Sequence, residues 1–271
     1  MMVKRYEILD KTLRDPVPEV LFQLARGGVV NEQCMEPGKP HQRYARGLQF
    51  EDAVAYTALE HLGYGPIPNL QALIHSAVDR AVEYFFGDWW RADESDAQAL
   101  DKARPDRALA WFDVLPNALL LGGLADRWDD IAKICSWFDA TIEMEYQAGQ
   151  VEDQYMQLFL CIASSLSPQP MAGVETMVAE IRKCRTRRPK LLCAAWEAAI
   201  ARDQKSFDKA LTDSVNQFLK SDAEDVPNPA FWVARHQSIV WLIAEKNGLN
   251  FPGSSDKLDA AIVRRQTIGL D

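Results

Sequence analysis

The sequence predicts an all-α fold in which antiparallel helical hairpins stack into a bundle or α-solenoid. Three observations carry this. Apolar residues recur at i, i+3, i+4 and i+7 from about residue 48 to the end. Alternating runs rich in Val, Ile and Thr, the mark of strands, are nearly missing. The periodic stretches are parted by short Gly, Pro and Asp breaks, the spacing expected of antiparallel neighbours.

Residues 1–46 are expected to be the irregular N-terminal segment of a single domain, with stacked helices over 47–271. Asp15-Pro16-Val17-Pro18 opens a short amphipathic helix through Val20, Leu21 and Leu24, closed by Gly27-Gly28. A loop follows from Met35 to Arg46, carrying Pro37, Gly38 and Pro40. The next helix spans about Phe50 to Leu62 and stops at Gly63-Tyr64-Gly65-Pro66. Asn69 is placed to cap a helix whose face carries Leu70, Leu73, Ile74, Ala77, Val78 and Ala81. That helix ends in the aromatic cluster Tyr84, Phe85, Phe86, Trp89 and Trp90, beside the acidic loop Asp93-Glu94-Ser95-Asp96. Burial of the helix end under its neighbours is the expected role of the cluster, and an exposed binding hot spot is the alternative.

From Pro105 to Ile142 the pattern is an αα-hairpin whose limbs meet near Gly122-Gly123 and Asp126. Trp128, Ile131, Cys135 and Phe138 hold the apolar spacing of the second limb, with Asp129, Asp130 and Lys133 opposite. A helix over about Asp153 to Leu166 is broken by Ser167-Pro168-Gln169-Pro170. Val174, Met177, Val178 and Ile181 mark a short helix, after which Arg182, Lys183, Arg185, Arg187, Arg188 and Lys190 place six cations in nine residues. Their expected role is to complement the dipole at that helix's C-terminus, and an acidic-partner patch is the alternative. Asp203 is expected to cap the helix of Phe207, Leu211, Val215 and Phe218, with Asn228-Pro229 opening the next and Gly248 supplying a left-handed C-terminal cap. No 34-residue self-similarity appears, so the tetratricopeptide-like architecture is expected without repeat sequence.

With 271 residues, of which 48% are hydrophobic and 25% charged, the chain can bury a large core unaided. It begins without the apolar run of a signal peptide and contains no 18-residue uncharged apolar stretch, which points to a cytoplasmic protein with no membrane partner. The net charge of −9 disfavours nucleic acid and suits an ordinary solvated surface, with a basic protein partner as the alternative. Five cysteines without a CxxC pair suggest buried thiols in a reducing compartment, not disulfides or zinc. The four histidines form no HExxH or ExxH pattern, and no GxSxG elbow, Walker loop or GxGxxG fingerprint occurs. No metal, cofactor or catalytic group is therefore expected, although Glu60, His61 and His75 could meet across one helical hairpin.

The stretch Ala194-Ala195-Trp196-Glu197-Ala198-Ala199-Ile200-Ala201-Arg202-Asp203-Gln204, followed by Phe207-Asp208-Lys209-Ala210-Leu211, resembles the C-terminal half of the immunity protein 49 family, which accompanies bacterial polymorphic toxins. The likeness extends over 191–270 through Ser238-Ile239-Val240-Trp241-Leu242-Ile243-Ala244, Asn247-Gly248-Leu249 and Ser254-Ser255-Asp256. Where the family has Tyr-Leu-Pro near its end, this chain has Lys257-Leu258-Asp259. The resemblance implies an all-α, non-enzymatic protein that neutralises a cognate toxin domain by binding over it. Candidate contacts are Asp93, Glu94 and Asp96, the cluster Asp126, Asp129 and Asp130, and the neighbouring Trp89 and Trp90. A helical scaffold that binds a protein or peptide is the alternative.

Overall fold

The computed structural model describes residues 42–86, 114–138, 151–220, 229–253 and 255–270, with side chains for all of these except 42–51 and 151–153. Among the described residues the protein is all-helical, with many helix–helix contacts and no strand. Ten α-helices follow in order: α1 Gln42–His61, α2 Leu70–Phe86, α3 Leu115–Leu124, α4 Trp128–Ser136, α5 Val151–Leu166, α6 Val174–Lys183, α7 Arg187–Ala201, α8 Gln204–Leu219, α9 Arg235–Lys246 and α10 Asp256–Ala261. Two single 3-10 turns, Pro229–Phe231 and Gln266–Ile268, complete the set.

Helix α3 is the hub. All ten of its residues, Leu115–Leu124, are buried, and it packs against α1, α2, α4 and α9. A helix apolar around its whole circumference is stable only when neighbours cover every side. Close approach is bought by two glycines, Gly122 and Gly123, which were expected at the hairpin joint but lie inside the helix. A Cβ on Gly122 would stand 2.6 Å from Ile131 Cγ1, and one on Gly123 would stand 3.0 Å from Leu242 Cδ1. The joint itself is Ala125-Asp126-Arg127, where Asp126 takes a left-handed conformation with φ 57°.

The hub is tied to α9 by a buried polar link: Arg235 Nη1 donates to Asn117 Oδ1 at 2.8 Å. Ser238, fully buried, donates through Oγ to Ala234 O at 2.9 Å and accepts from Val263 N at 2.9 Å, which anchors the chain after α10. Around these bonds one continuous apolar cluster runs from Ala53 to Leu270. Tyr84 and Phe85 belong to it, packed edge-on with Trp137 and Phe138, so this part of the aromatic cluster is core as expected, while Phe86 is exposed.

Several boundaries differ from the sequence reading. Helix α1 begins at Gln42, so 42–46 are helical and not loop. The last breaker before them is Pro40, and nothing in Arg43-Tyr44-Ala45-Arg46 resists helix propagation. Asn69 precedes α2 in a left-handed conformation, φ 56°, with its carbonyl accepting from Leu73 N at 2.9 Å. Pro229 opens only the 3-10 turn, and α9 starts six residues later at Arg235.

The basic run is divided between two helices. Arg182 and Lys183 close α6, where cations suit the dipole, but Arg187, Arg188 and Lys190 lie in the first turn of α7, where they oppose it. Pro189 sits in the first turn of α7, where the missing N–H costs nothing. Two expectations held in detail. Asp203 caps α8, accepting from Ser206 N at 3.1 Å. Gly248, φ 85°, closes α9 with Leu249 N bonded to Ala244 O at 3.0 Å and Gly248 N to Glu245 O at 2.9 Å, a Schellman arrangement.

Candidate functional site

Asp126, Asp129 and Asp130 fall together at the start of α4, where two of them fill its first turn and complement its dipole. Arg127, between them, organises the face. Its Nε donates to Asp130 Oδ2 at 2.7 Å, and its Nη1 donates to Asp79 Oδ1 at 2.6 Å and to His75 O at 3.1 Å. Burial pulls the Arg127 pKa down, but hydrogen bonds to Asp79 and Asp130 outweigh it and the net shift is upward, so the guanidinium stays charged. Asp126 is met by Arg265 Nη1 at 3.5 Å. The carboxylates of Asp79 and Asp126 remain 68% and 59% exposed, and Asp129 is exposed beside them. The result is a carboxylate face drawn from α2 and α4 and fixed by one arginine. Asp79 was not singled out in the sequence, because it lies 48 positions from Arg127. Trp89, Trp90, Asp93, Glu94 and Asp96 lie outside the described residues.

Glu60, His61 and His75 each have a separate partner. Glu60 Oε2 accepts from Ile67 N at 2.5 Å and braces the turn after α1. The His61 ring lies between Ala260 O, 3.0 Å from Nε2, and Thr267 Oγ1, 2.8 Å from Nδ1. A carbonyl can only accept, so Nε2 carries the proton and Nδ1 receives the Thr267 hydroxyl. Burial lowers the His61 pKa to about 4, keeping the ring neutral. His75 offers its backbone carbonyl to Arg127.

The described cysteines are free thiols. Cys135, Cys161 and Cys193 are buried, and burial pushes Cys161 and Cys193 up to about 12 and Cys135 higher still. A thiol held protonated is a poor nucleophile. Among the described residues, no group of three or more His, Cys, Asp or Glu is placed to hold a metal ion.

A second feature was not anticipated. A recess of about 400 Å³ opens between the last turn of α9, the strap that follows it, and the chain after α10. Trp241, Glu245, Leu249, Phe251, Arg264 and Gln266 line it. Trp241 and Phe251 meet edge-to-face at 4.9 Å, and the Arg264 guanidinium lies over the Phe251 ring at 4.2 Å. Arg264 is held from behind by Asp259, Nη2 to Oδ1 at 2.7 Å. The strap is fixed in both directions by one amide: Gln204 Nε2 donates to Asn250 O and Asn250 N donates to Gln204 Oε1, each at 2.8 Å. Among the described residues Trp241 Nε1 and Arg264 Nε find no acceptor although both atoms are buried, an arrangement that costs about 1–3 kcal/mol per donor. Sequence signals for this site were slight, since Gly248 marks only a helix end and the lining is gathered from Trp241 to Gln266.

Comparison of the chain with protein-family models, with curated proteins and with solved structures finds no match. No described helix is long and apolar enough to cross a membrane.

Proposed function

We propose that this chain is a non-enzymatic, cytoplasmic immunity protein that neutralises a cognate bacterial toxin by direct binding. The observation that carries the reading is the Arg127-centred face. One guanidinium fixes Asp79 and Asp130, while the exposed carboxylates of Asp126 and Asp129 stand beside them. Side chains already ordered before binding lose little entropy on docking, and an acidic face steers a basic cleft toward itself. The net charge of −9 adds to that steering, and the resemblance over 191–270 supplies the biological class.

The basic surface of the toxin domain would cover the face formed by α2 and α4 in a stoichiometric complex, closing the toxin's own cleft. The test is co-expression with the toxin-domain product of an adjacent gene. A 1:1 complex and rescue of growth are expected, and Asp126→Asn with Asp129→Asn should weaken binding at least about tenfold at low salt, with a smaller loss at high salt. Absence of both complex and rescue would overturn the reading. Capture of extended peptides from unrelated proteins, with no toxin complex, would instead support a helical scaffold.

A further inference from the structure

The dipole role expected of the basic run accounts for only part of it. Arg182 and Lys183 close α6, but Arg187, Arg188 and Lys190 stand in the first turn of α7, where the helix end is already positive. Thr186, the N-cap residue, gives that turn no side-chain acceptor. Among the described residues Arg182 pairs with Glu197, while Lys183, Arg185, Arg187, Arg188 and Lys190 form no ion pair. Lys183, Arg185 and Arg187 are exposed, and Arg188 and Lys190 are half-buried. Like charges gathered at the wrong end of a helix cost stability, and an anionic partner turns that cost into attraction.

The acidic face of α2 and α4 lies at the other end of α7. Asn247 Nδ2, just past α9, donates to Ala199 O near the end of α7, and the adjacent Lys246 lies over the ring of Trp128, which opens α4. These contacts bring the last turns of α7 and α9 together with the start of α4, where Asp126, Asp129 and Asp130 stand. Arg187 precedes Ala199 by three turns and more, about 18 Å along α7. One copy therefore does not lay its own basic edge on its own acidic face.

We propose that the basic edge at the α6–α7 junction docks the α2–α4 face of a second copy of this chain, joining copies head to tail. Arginine forks of the edge take the carboxylates of Asp79, Asp126 and Asp129, which stay exposed although Arg127 and Arg265 already hold two of them in place. The two surfaces differ, so the contact is heterologous and repeats along a short chain or a ring. Away from the basic run the molecule is more negative than its net charge of −9, which repels a long polyanion extending past the edge and favours a compact acidic patch. Repulsion between whole copies is screened beyond about 8 Å at physiological salt, whereas ion pairs in contact are screened less. A second copy and a toxin would compete for the acidic face, but neither inference requires the other.

The experiment is sedimentation of the full chain, alone, over about 10–500 μM at about 0.15 and 1 M salt. Dimers and longer species are expected in the upper part of that range at the lower salt, and monomer throughout at 1 M, where the Debye length is about 3 Å. Arg187→Glu with Arg188→Glu should weaken association at least about tenfold and raise the unfolding midpoint slightly, because acids suit the first turn of α7. Loss of association in that variant is then separate from loss of the fold. Asp126→Lys with Asp129→Lys should also stay monomeric, yet an equimolar mixture of the two double variants should form a 1:1 pair, since each supplies the surface the other lacks. A wild-type chain still monomeric at about 500 μM would overturn the proposal. So would association that survives either double variant, or a mixture that does not pair. Monomer together with capture of a polyglutamate peptide, abolished by Arg187→Glu with Arg188→Glu, would also overturn it and assign the edge to an acidic segment of another protein. No toxin enters these measurements, so their failure leaves the toxin-binding reading standing.

Discussion

Helix α3 and the strap after α9 lie on opposite faces of the same packing problem. In α3 every residue from Leu115 to Leu124 is buried, and Asn117 accepts from Arg235 through its oxygen while its Nδ2 has no partner among the described residues. Around the recess after α9, Gly248, Asn250 and Gln266 are exposed, and Trp241 Nε1 and Arg264 Nε likewise lack acceptors among the described residues. The contrast therefore lies in exposure. Packing on every side holds the hub, whereas the recess keeps polar groups at the surface.

The sharpest way to break that contrast is a cavity in the hub. Leu120→Ala should lose about 2–5 kcal/mol in urea denaturation, since Leu120 is fully buried and surrounded by helices that cannot collapse onto the gap. A loss under about 1 kcal/mol would mean that α3 is not the hub.

Next comes pH. The His61 ring joins α1 to Ala260 and Thr267, and its folded pKa of about 4 lies below the value of an exposed histidine. The unfolded chain therefore binds the extra proton first. His61's contribution is fully present above about pH 6.5 and is lost as pH falls toward 4, by on the order of 3 kcal/mol. Thermal melts across that window should show the decline, and His61→Gln should flatten it. An unchanged slope in the variant would assign the decline to carboxylates elsewhere.

Asn117→Leu probes the polar tie between the hub and α9. It removes an acceptor from a buried guanidinium and should cost about 2 kcal/mol in the same denaturation experiment. The smallest effects belong to the strap and the chain after it. Gly248→Ala forces a Cβ into φ 85° and should cost about 1 kcal/mol. Ser255→Ala deletes the cap on Leu258 N, also for about 1 kcal/mol. If the contrast is right, Leu120→Ala costs more stability than either of these two substitutions.

Legibility in the sequence followed the range of each interaction. The cap at Asp203 and the turn at Gly248 were readable because their partners lie within five residues. Gly122-Gly123 was not, because glycine serves equally for a bend and for close packing, and only the nearness of Ile131 and Leu242 distinguishes them. The basic run was read as one C-terminal patch for a related reason. Pro189 lies in the first turn of α7, so Arg187, Arg188 and Lys190 belong to the next helix. The carboxylate cluster of α4 was visible as Asp126, Asp129 and Asp130, whereas Asp79, which Arg127 adds to it, was not.

By itself the sequence determined the all-α class and the position of most helices, because periodicity, capping and breakers act within a few residues along the chain. Only the tertiary structure decided which helix is the hub, which acids share Arg127, and that Trp241, Phe251 and Arg264 meet at one recess. Those outcomes depend on distances between residues far apart in the chain, and such distances are set by how the helices pack, not by local composition.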